Sequence, residues 1–206
     1  MQRILITAFG PYGPFDANAS QLCLEALASQ PWDVQAERRI YPVDFTQARQ
    51  MLAADLTARY DLAIHLGQSP RARAVQLEAV ALNVCGPPEL APEHYGVLET
   101  EGPVAYRSRL PLDRLVKGLR AQGIAAEVSY HAGTYLCNAV YYWSYHLAAQ
   151  LGLRTVPLFV HLPLVHEQRW ALPHMPSPAA MPMTAHESAR AVRVLCRLLT
   201  EAGTLG

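Results

Sequence analysis

The chain is short of the features that commit a sequence to a class early. Its 206 residues carry 17 basic and 17 acidic groups, so neither sign is in excess, and the closest arginine pairs are only Arg38 with Arg39, Arg71 with Arg73 and Arg107 with Arg109. A nucleic-acid binder shows a basic excess or stripe, and no nucleic-acid partner is expected here. No apolar run approaches the roughly 20 residues needed to cross a bilayer, so no membrane partner is expected either. The opening Met1-Gln2-Arg3 leads straight into Ile4-Leu5-Ile6 and then glycine and proline, too short for a signal-peptide core. Cys23, Cys85, Cys137 and Cys196 form no CxxC pair. That spacing argues against a zinc site and against a structural disulfide, and it leads us to expect free thiols in a reducing cytoplasm. There is no GxSxG elbow, HExxH or DxD cluster, no internal repeat and no low-complexity tract. Gly10-Pro11-Tyr12-Gly13 is no phosphate cradle, because Pro11 lacks an N–H and no third glycine follows.

What is present is apolar. Hydrophobic residues make up 51% of the chain, enough for one domain spanning 1–206 that buries roughly 70% of its unfolded surface. Residues 4–8 read as a short buried strand that ends in the turn-rich loop Phe9-Gly10-Pro11-Tyr12-Gly13-Pro14-Phe15. Asn18 or Ser20 caps the helix that follows, with Leu22, Cys23, Ala26 and Leu27 on one face. Strand-like residues return over 34–43, an amphipathic helix over 46–59, and a buried strand over 62–66 closed by Gly67-Gln68. Residues 74–84 read as one longer strand containing Glu78, and 85–106 as an irregular loop. A helix runs from Pro111 to Gln122 with Gly123 just past its end, the expected asymmetry. A strand at 125–130, a helix opening at Gly133 and reaching about Gln150, a last strand at 155–162, a loop rich in proline and methionine over 163–183 and a helix over 184–201 complete the chain. Strands alternating with helices imply an α/β protein with a mainly parallel sheet covered on both faces. Sites in such sheets form at the carboxyl ends of strands. Residues 9–15, Gln68 and 132–137 are expected at such ends, and His161 closes the last strand.

Cys137 is the first candidate for chemistry. It lies one turn into the helix expected to open at Gly133, where the positive end of the helix dipole favours a thiolate. A lone cysteine is more often a small buried hydrophobe, but Cys23 and Cys196 sit inside amphipathic helices and Cys85 opens a loop, so none of them shares this setting. A cysteine nucleophile needs a base that takes its proton and returns it to the leaving amine. His161 is the leading choice of eight histidines; His65, in a similar apolar strand, is its main rival, and His131 is close enough in sequence to approach Cys137 locally. Glu78 is the candidate for the third role, holding the imidazole in its tautomer and balancing its charge. A strand glutamate usually points to solvent, whereas a buried one requires a partner, which a histidine would supply.

Laid side by side, these segments resemble the pyrrolidone-carboxylate peptidases, the pyroglutamyl peptidase I family of cysteine exopeptidases, over nearly the full length. Thr7-Ala8-Phe9-Gly10-Pro11-Tyr12-Gly13 is similar to its "T-G-F-x-P-F-G", Asn18-Ala19-Ser20 to "N-P-S", and Gly67-Gln68 to "G-Q". The run from Glu78 to Asn83 resembles "E-R-x-A-x-N", and Phe159-Val160-His161-Leu162-Pro163 with Glu167-Gln168 resembles "F-x-H-x-P…E-Q". Ala132-Gly133-Thr134-Tyr135-Leu136-Cys137-Asn138 is similar to the cysteine signature "A-G-T-Y-x-C-N", the most specific of the set. The resemblance implies a single-domain three-layer α/β/α sandwich of the phosphorylase/hydrolase type, with a mainly parallel or mixed twisted sheet. It implies a homotetramer, no cofactor and no metal, and removal of an N-terminal pyroglutamyl residue from peptides. It puts the catalytic triad on Cys137, His161 and Glu78, and the ring-binding positions on Phe9 and Tyr12. Gln68 either pairs with the lactam or holds the loop.

The chain also departs from the family pattern. "G-Q-x-G-G-R" is here Gln68-Ser69-Pro70-Arg71-Ala72-Arg73, and where the family carries an arginine about ten residues after the glutamate this chain has Pro87-Pro88-Glu89. Tyr130 and His131 stand in place of the asparagine and threonine of "S-N-T-A-G-T". These changes leave an alternative open: a non-catalytic or weakly active binding protein on the same fold. A nucleoside-handling hydrolase of that fold class would need a phosphate or ribose site that the sequence does not show. The apolar methionines of the loop 173–183 are expected to pack at a subunit interface.

Overall fold

A computed structural model of the chain describes residues 2–29, 32, 34–87, 89–168 and 183–201. The main sheet has six strands: β1 (Ile4–Phe9), β2 (Ala36–Tyr41), β3 (Leu62–Gln68), β4 (Val75–Glu78), β7 (Ala126–Ser129) and β8 (Val156–Leu162), in the order β2-β1-β3-β8-β4-β7. β5 (Val80–Leu82) and β6 (Ala105–Arg107) form a small antiparallel sheet of their own. Strands β1, β3 and β8 are apolar on both faces, as strands covered twice must be. On one side Ile4, Ile6, Ile64, Leu66, Leu158 and Val160 pack under α1 (Ala19–Ala28), α3 (Leu112–Ala121) and α5 (Ala185–Glu201). On the other, Leu5, Phe9, Ala63 and Phe159 pack under α2 (Phe45–Leu56) and α4 (Leu136–Gln150). This is the expected three-layer α/β/α arrangement. β2 lies at an edge and carries Glu37, Arg38 and Arg39, charges that discourage pairing with another chain. No described helix is long and apolar enough to cross a membrane.

Local signals hold where they are strong. Asn18 caps α1, its side chain accepting from the N–H and the hydroxyl of Ser20 at 3.1 and 2.8 Å. Gly123 follows α3 at φ +72°, the left-handed position that closes a helix. Two expectations are corrected. The run 74–84 is two strands rather than one: β4 ends at Glu78, the Ala79 backbone turns between Ser129 and Ser108, and β5 leaves for the small sheet. The second correction concerns direction. β4 is antiparallel to β8 and parallel to β7, so β7 runs against β1, β3 and β8 and its carboxyl end points away from theirs. Residues 130–135 must therefore double back, and Gly133 at φ +81° provides the turn. The interface expected of the loop 173–183 lies, Met183 apart, outside the described residues.

α4 is the centre of the molecule, with twelve of its fifteen residues buried. A helix enclosed on that scale must pair most of its polar side chains internally, and of its described side chains Trp143 Nε1 is buried without a hydrogen-bond partner. Tyr141 donates to the carbonyl of Glu78 at 2.9 Å, Tyr142 to that of Pro103 at 2.8 Å and Tyr145 to that of Pro157 at 3.1 Å. Asn138 accepts from the N–H of Leu82 at 2.8 Å and donates to the carbonyls of Leu82 and Val84 at 2.9 and 3.1 Å, completing the edge of β5 as another strand would. Asn138→Ala strands these half-buried backbone groups, and a loss of about 1–3 kcal/mol is expected in urea unfolding, above that of an exposed asparagine.

Candidate active site

Register places the site before any side chain is considered. Residues two apart on a strand share a face. Thr7 of β1 lies beside His65 of β3, and His65 beside Phe159 of β8. One step further along the same face, Gly67 lies beside His161, and His161 beside Gln76 of β4. Glu78, two residues on from Gln76, is completely buried. It receives a hydrogen bond from His161 Nδ1 on Oε1 at 2.7 Å. Its second oxygen is buried and has no hydrogen-bond partner among the described residues, so the imidazole is the group that balances this carboxylate.

Cys137 reaches the same place from α4: its Sγ lies against Gly67, the strand neighbour of His161, and both side chains line one cleft. Burial pulls the imidazole pKa down, but the interactions with Cys137 and Glu78 more than reverse this and hold it up to about 9. These neighbours favour the charged form of the ring. Cys137 is the second residue of α4, not one turn inside a helix opening at Gly133: the left-handed Gly133 and the extended Tyr135 delay the helix to Leu136. The correction moves the sulfur closer to the positive helix end. Tyr135 provides no side-chain cap, and the first N–H groups of a helix have no acceptor within it.

Cys137 and His161 border a cleft of about 700 Å³, in the size range of small-molecule sites. The cleft is also lined by Phe9, Tyr12, Val43, Gln68, Tyr135 and Leu136, with Pro70, Arg71 and His131 among its exposed members. Phe9 is buried at the end of β1, its N–H bonded to Ser20 Oγ at 3.1 Å. Tyr12 stacks obliquely on Tyr135 with centroids 5.6 Å apart. Burial first, then the charge of Glu89, raises the pKa of both phenols, so both remain protonated donors at neutral pH. Gln68 has its carbonyl oxygen occupied by the Ala19 N–H at 2.8 Å and by Gln168, whose amide nitrogen also reaches the carbonyl of Ala17. Of its two expected tasks, holding the loop before α1 is the one these contacts perform.

The structure thus brings Cys137, His161, Glu78, Phe9, Tyr12 and Gln68 to one place. His65, the rival base, lies beneath them, wholly buried and bonded to Thr7 and Ser144. His131 is exposed, its Nδ1 accepting the Gly133 N–H at 2.9 Å. Gly67 was singled out in sequence only as part of "G-Q". A Cβ there would fall 2.7 and 2.8 Å from the Phe159 ring and 3.0 Å from Cys137 Sγ, so the sulfur rests against bare backbone. Asn138, adjacent to the cysteine, serves the backbone of β5 instead of the cleft.

The model of the pyroglutamyl peptidase family matches residues 2–199 of this chain. The chain belongs to that family. Pyroglutamyl peptidases are cysteine-type hydrolases, and relatives named pyrrolidone-carboxylate peptidase support the assignment. The one from Pyrococcus furiosus is 34% identical over 174 residues, 81% of this chain and 83% of that one. The one from Mycobacterium tuberculosis is 36% identical over 174 residues, 79% of this chain and 78% of that one. The crystal structure of pyrrolidone carboxyl peptidase from Fervidobacterium islandicum superposes with a TM-score of 0.87 at 29% identity, covering 98% of this chain and 99% of the other. Against the pyroglutamyl peptidase pattern, the altered loop Ser69-Pro70-Arg71 closes as a turn, with the Ala72 N–H on the Ser69 carbonyl at 3.1 Å, and it lines the cleft beside Gln68. The non-catalytic alternative is not favoured.

Gly67→Ala is expected to displace the Phe159 ring or Cys137 Sγ. The outcome would be a loss of about 1–3 kcal/mol in urea unfolding together with a marked fall in kcat. An activity and stability close to those of the parent protein would show that the contact is slack.

Proposed function

We propose that the chain removes an N-terminal pyroglutamyl (5-oxoproline) residue from peptides through a thioester acyl-enzyme. Cys137 attacks the carbonyl, His161 gives its proton to the leaving amine, and water, with His161 now acting as base, clears the thioester. Glu78 keeps Nδ1 as the donor and stabilises the imidazolium, without itself taking the proton. Backbone N–H groups at the start of α4 receive the oxyanion, a contribution of about 3–4 kcal/mol per donor in comparable sites. Phe9 and Tyr12 hold the lactam. The ring is flat and neutral, so aromatic walls with a few hydrogen bonds suit it, and a carboxylate placed to receive a free amine would not. Gln68 fixes the loop that carries them.

The observation that carries this reading is the buried Glu78–His161 pair at 2.7 Å, with Cys137 beside His161 at the edge of the same aromatic cleft. We further read the whole chain as one catalytic domain acting in the cytoplasm as a homo-oligomer, a tetramer by likeness to the family. Free thiols at Cys23, Cys85, Cys137 and Cys196 suit a reducing compartment.

Hydrolysis of a pyroglutamyl chromogenic amide tests the proposal. Cys137→Ala is expected to lower kcat by more than about ten-thousandfold while leaving the urea midpoint near that of the parent. Activity surviving that substitution would exclude Cys137 as the nucleophile. In the parent protein the proton donor is lost as pH rises through the raised pKa of His161, so kcat/KM should decline above about pH 9. A decline already centred near the ordinary histidine value of about 6.5 would show that the imidazolium is not held as the structure implies.

A further inference from the structure

Beneath the proposed triad lies a second polar group that the reaction does not consume. Thr7 on β1, His65 on β3 and Ser144 on α4 are each completely buried. Thr7 Oγ1 is 2.8 Å from His65 Nδ1, and His65 Nε2 is 2.9 Å from Ser144 Oγ. A neutral imidazole has one donor and one acceptor, and a hydroxyl serves as either, so the three satisfy one another without a charge. Burial keeps the ring neutral, with its pKa lowered to about 3. An apolar trio would fill the same space with less demand on geometry, since buried polar groups help only when fully paired. What the polar trio adds is direction. Two hydrogen bonds fix where the helix sits over the strands, which a greasy contact leaves free to slide.

The connection to the reacting groups is short on both elements. Ser144 follows Cys137 by seven residues, two turns along the same face of α4. His65 precedes Gly67 by two residues on the same face of β3, and Gly67 is where Cys137 Sγ meets bare backbone. The His65 ring leans on Phe159 with centroids 6.4 Å apart, and Phe159 leans on His161 with centroids 4.9 Å apart. We propose that the Thr7–His65–Ser144 clasp is a positioning device for the peptidase reaction, setting the height and rotation of α4 over β3 and so the placement of Cys137 Sγ against His161. The three residues touch neither substrate nor reacting atoms; they act through Cys137, and the inference rests on Cys137 being the nucleophile.

The test uses Thr7→Val, which keeps the shape and loses the hydroxyl, Thr7→Ser, which keeps the hydroxyl, and Ser144→Ala, which removes one oxygen from α4. Each protein is assayed for kcat and KM on a pyroglutamyl amide, for the rate of iodoacetamide alkylation mapped to Cys137, and for its urea midpoint. Thr7→Val and Ser144→Ala are expected to lower kcat and Cys137 alkylation together by about tenfold or more, with KM within about twofold, because a misplacement of order 1 Å is costly to a reaction. Thr7→Ser should recover most of both rates. Should Thr7→Val not fold, Ser144→Ala carries the test alone. Variants that lose stability while kcat and Cys137 alkylation stay within about twofold of the parent would reduce the clasp to a structural contact and overturn the proposal. Failure of the underlying reading is distinct from this: alkylation of Cys137 in the parent protein would then leave its activity intact.

Discussion

A carboxylate with no exposure to water and one imidazole for a partner is the constraint on which the rest of the structure turns. Ionised and unpaired, Glu78 would be strongly destabilising, and removing one member of such a pair typically costs about 3–5 kcal/mol. The pair is therefore held by everything around it. β4 reverses direction beside β8 and so carries Glu78 to the side chain of His161, while Tyr141 of α4 binds the backbone of Glu78 at 2.9 Å. The same helix carries Cys137 to the cleft that His161 lines. One buried charge thus ties together a strand reversal, the central helix and the proposed nucleophile.

The central helix is fastened with unusual thoroughness for an element whose first turn borders an open cleft. Tyr142 and Tyr145 fix its far end, Asn138 joins it to β5, and the Thr7–His65–Ser144 group lies between. Each hydrogen bond is worth only about 1 kcal/mol net, so their combined effect on stability is modest next to apolar burial. Their effect on position is larger, since they act in different directions on one rigid rod. The proposed attack of Cys137 on a carbonyl would benefit from such a mount.

How much of this was legible in the sequence depended on whether the signal was local. A cap at Asn18 or Ser20 (which the structure gives to Asn18), Gly123 past α3 and the apolar strands β1, β3 and β8 were legible because each is set by residues within a turn or two. The split of 74–84 into β4 and β5 was not legible: valine and leucine suit either strand, and the break is decided by Ser129 and Ser108, which bond to Ala79 from elsewhere in the chain. Nor was the reversal of β4 and β7, since strand direction leaves no mark on local composition. Cys137, His161 and Glu78 were reached as candidates from their settings, and a histidine partner for Glu78 was read from its apolar run; with 83 residues between them, the choice of His161 over its rivals was left open by the residues and fixed by family likeness. His65 was weighed as a rival base because an apolar strand holding one histidine looks the same whether that histidine reacts or fastens. The hydroxyls that settle its place, Thr7 and Ser144, lie on other elements.

The central claim is that these groups serve one covalent intermediate, and that intermediate is directly observable. A pyroglutamyl amide with an activated leaving group, mixed with the protein, quenched in acid within the first turnover and examined by peptide mass mapping, should place the pyroglutamyl acyl group on Cys137. The peptides holding Cys23, Cys85 and Cys196 should remain unmodified. An acyl group on any other residue, or turnover during which no acyl-protein forms, would contradict the account.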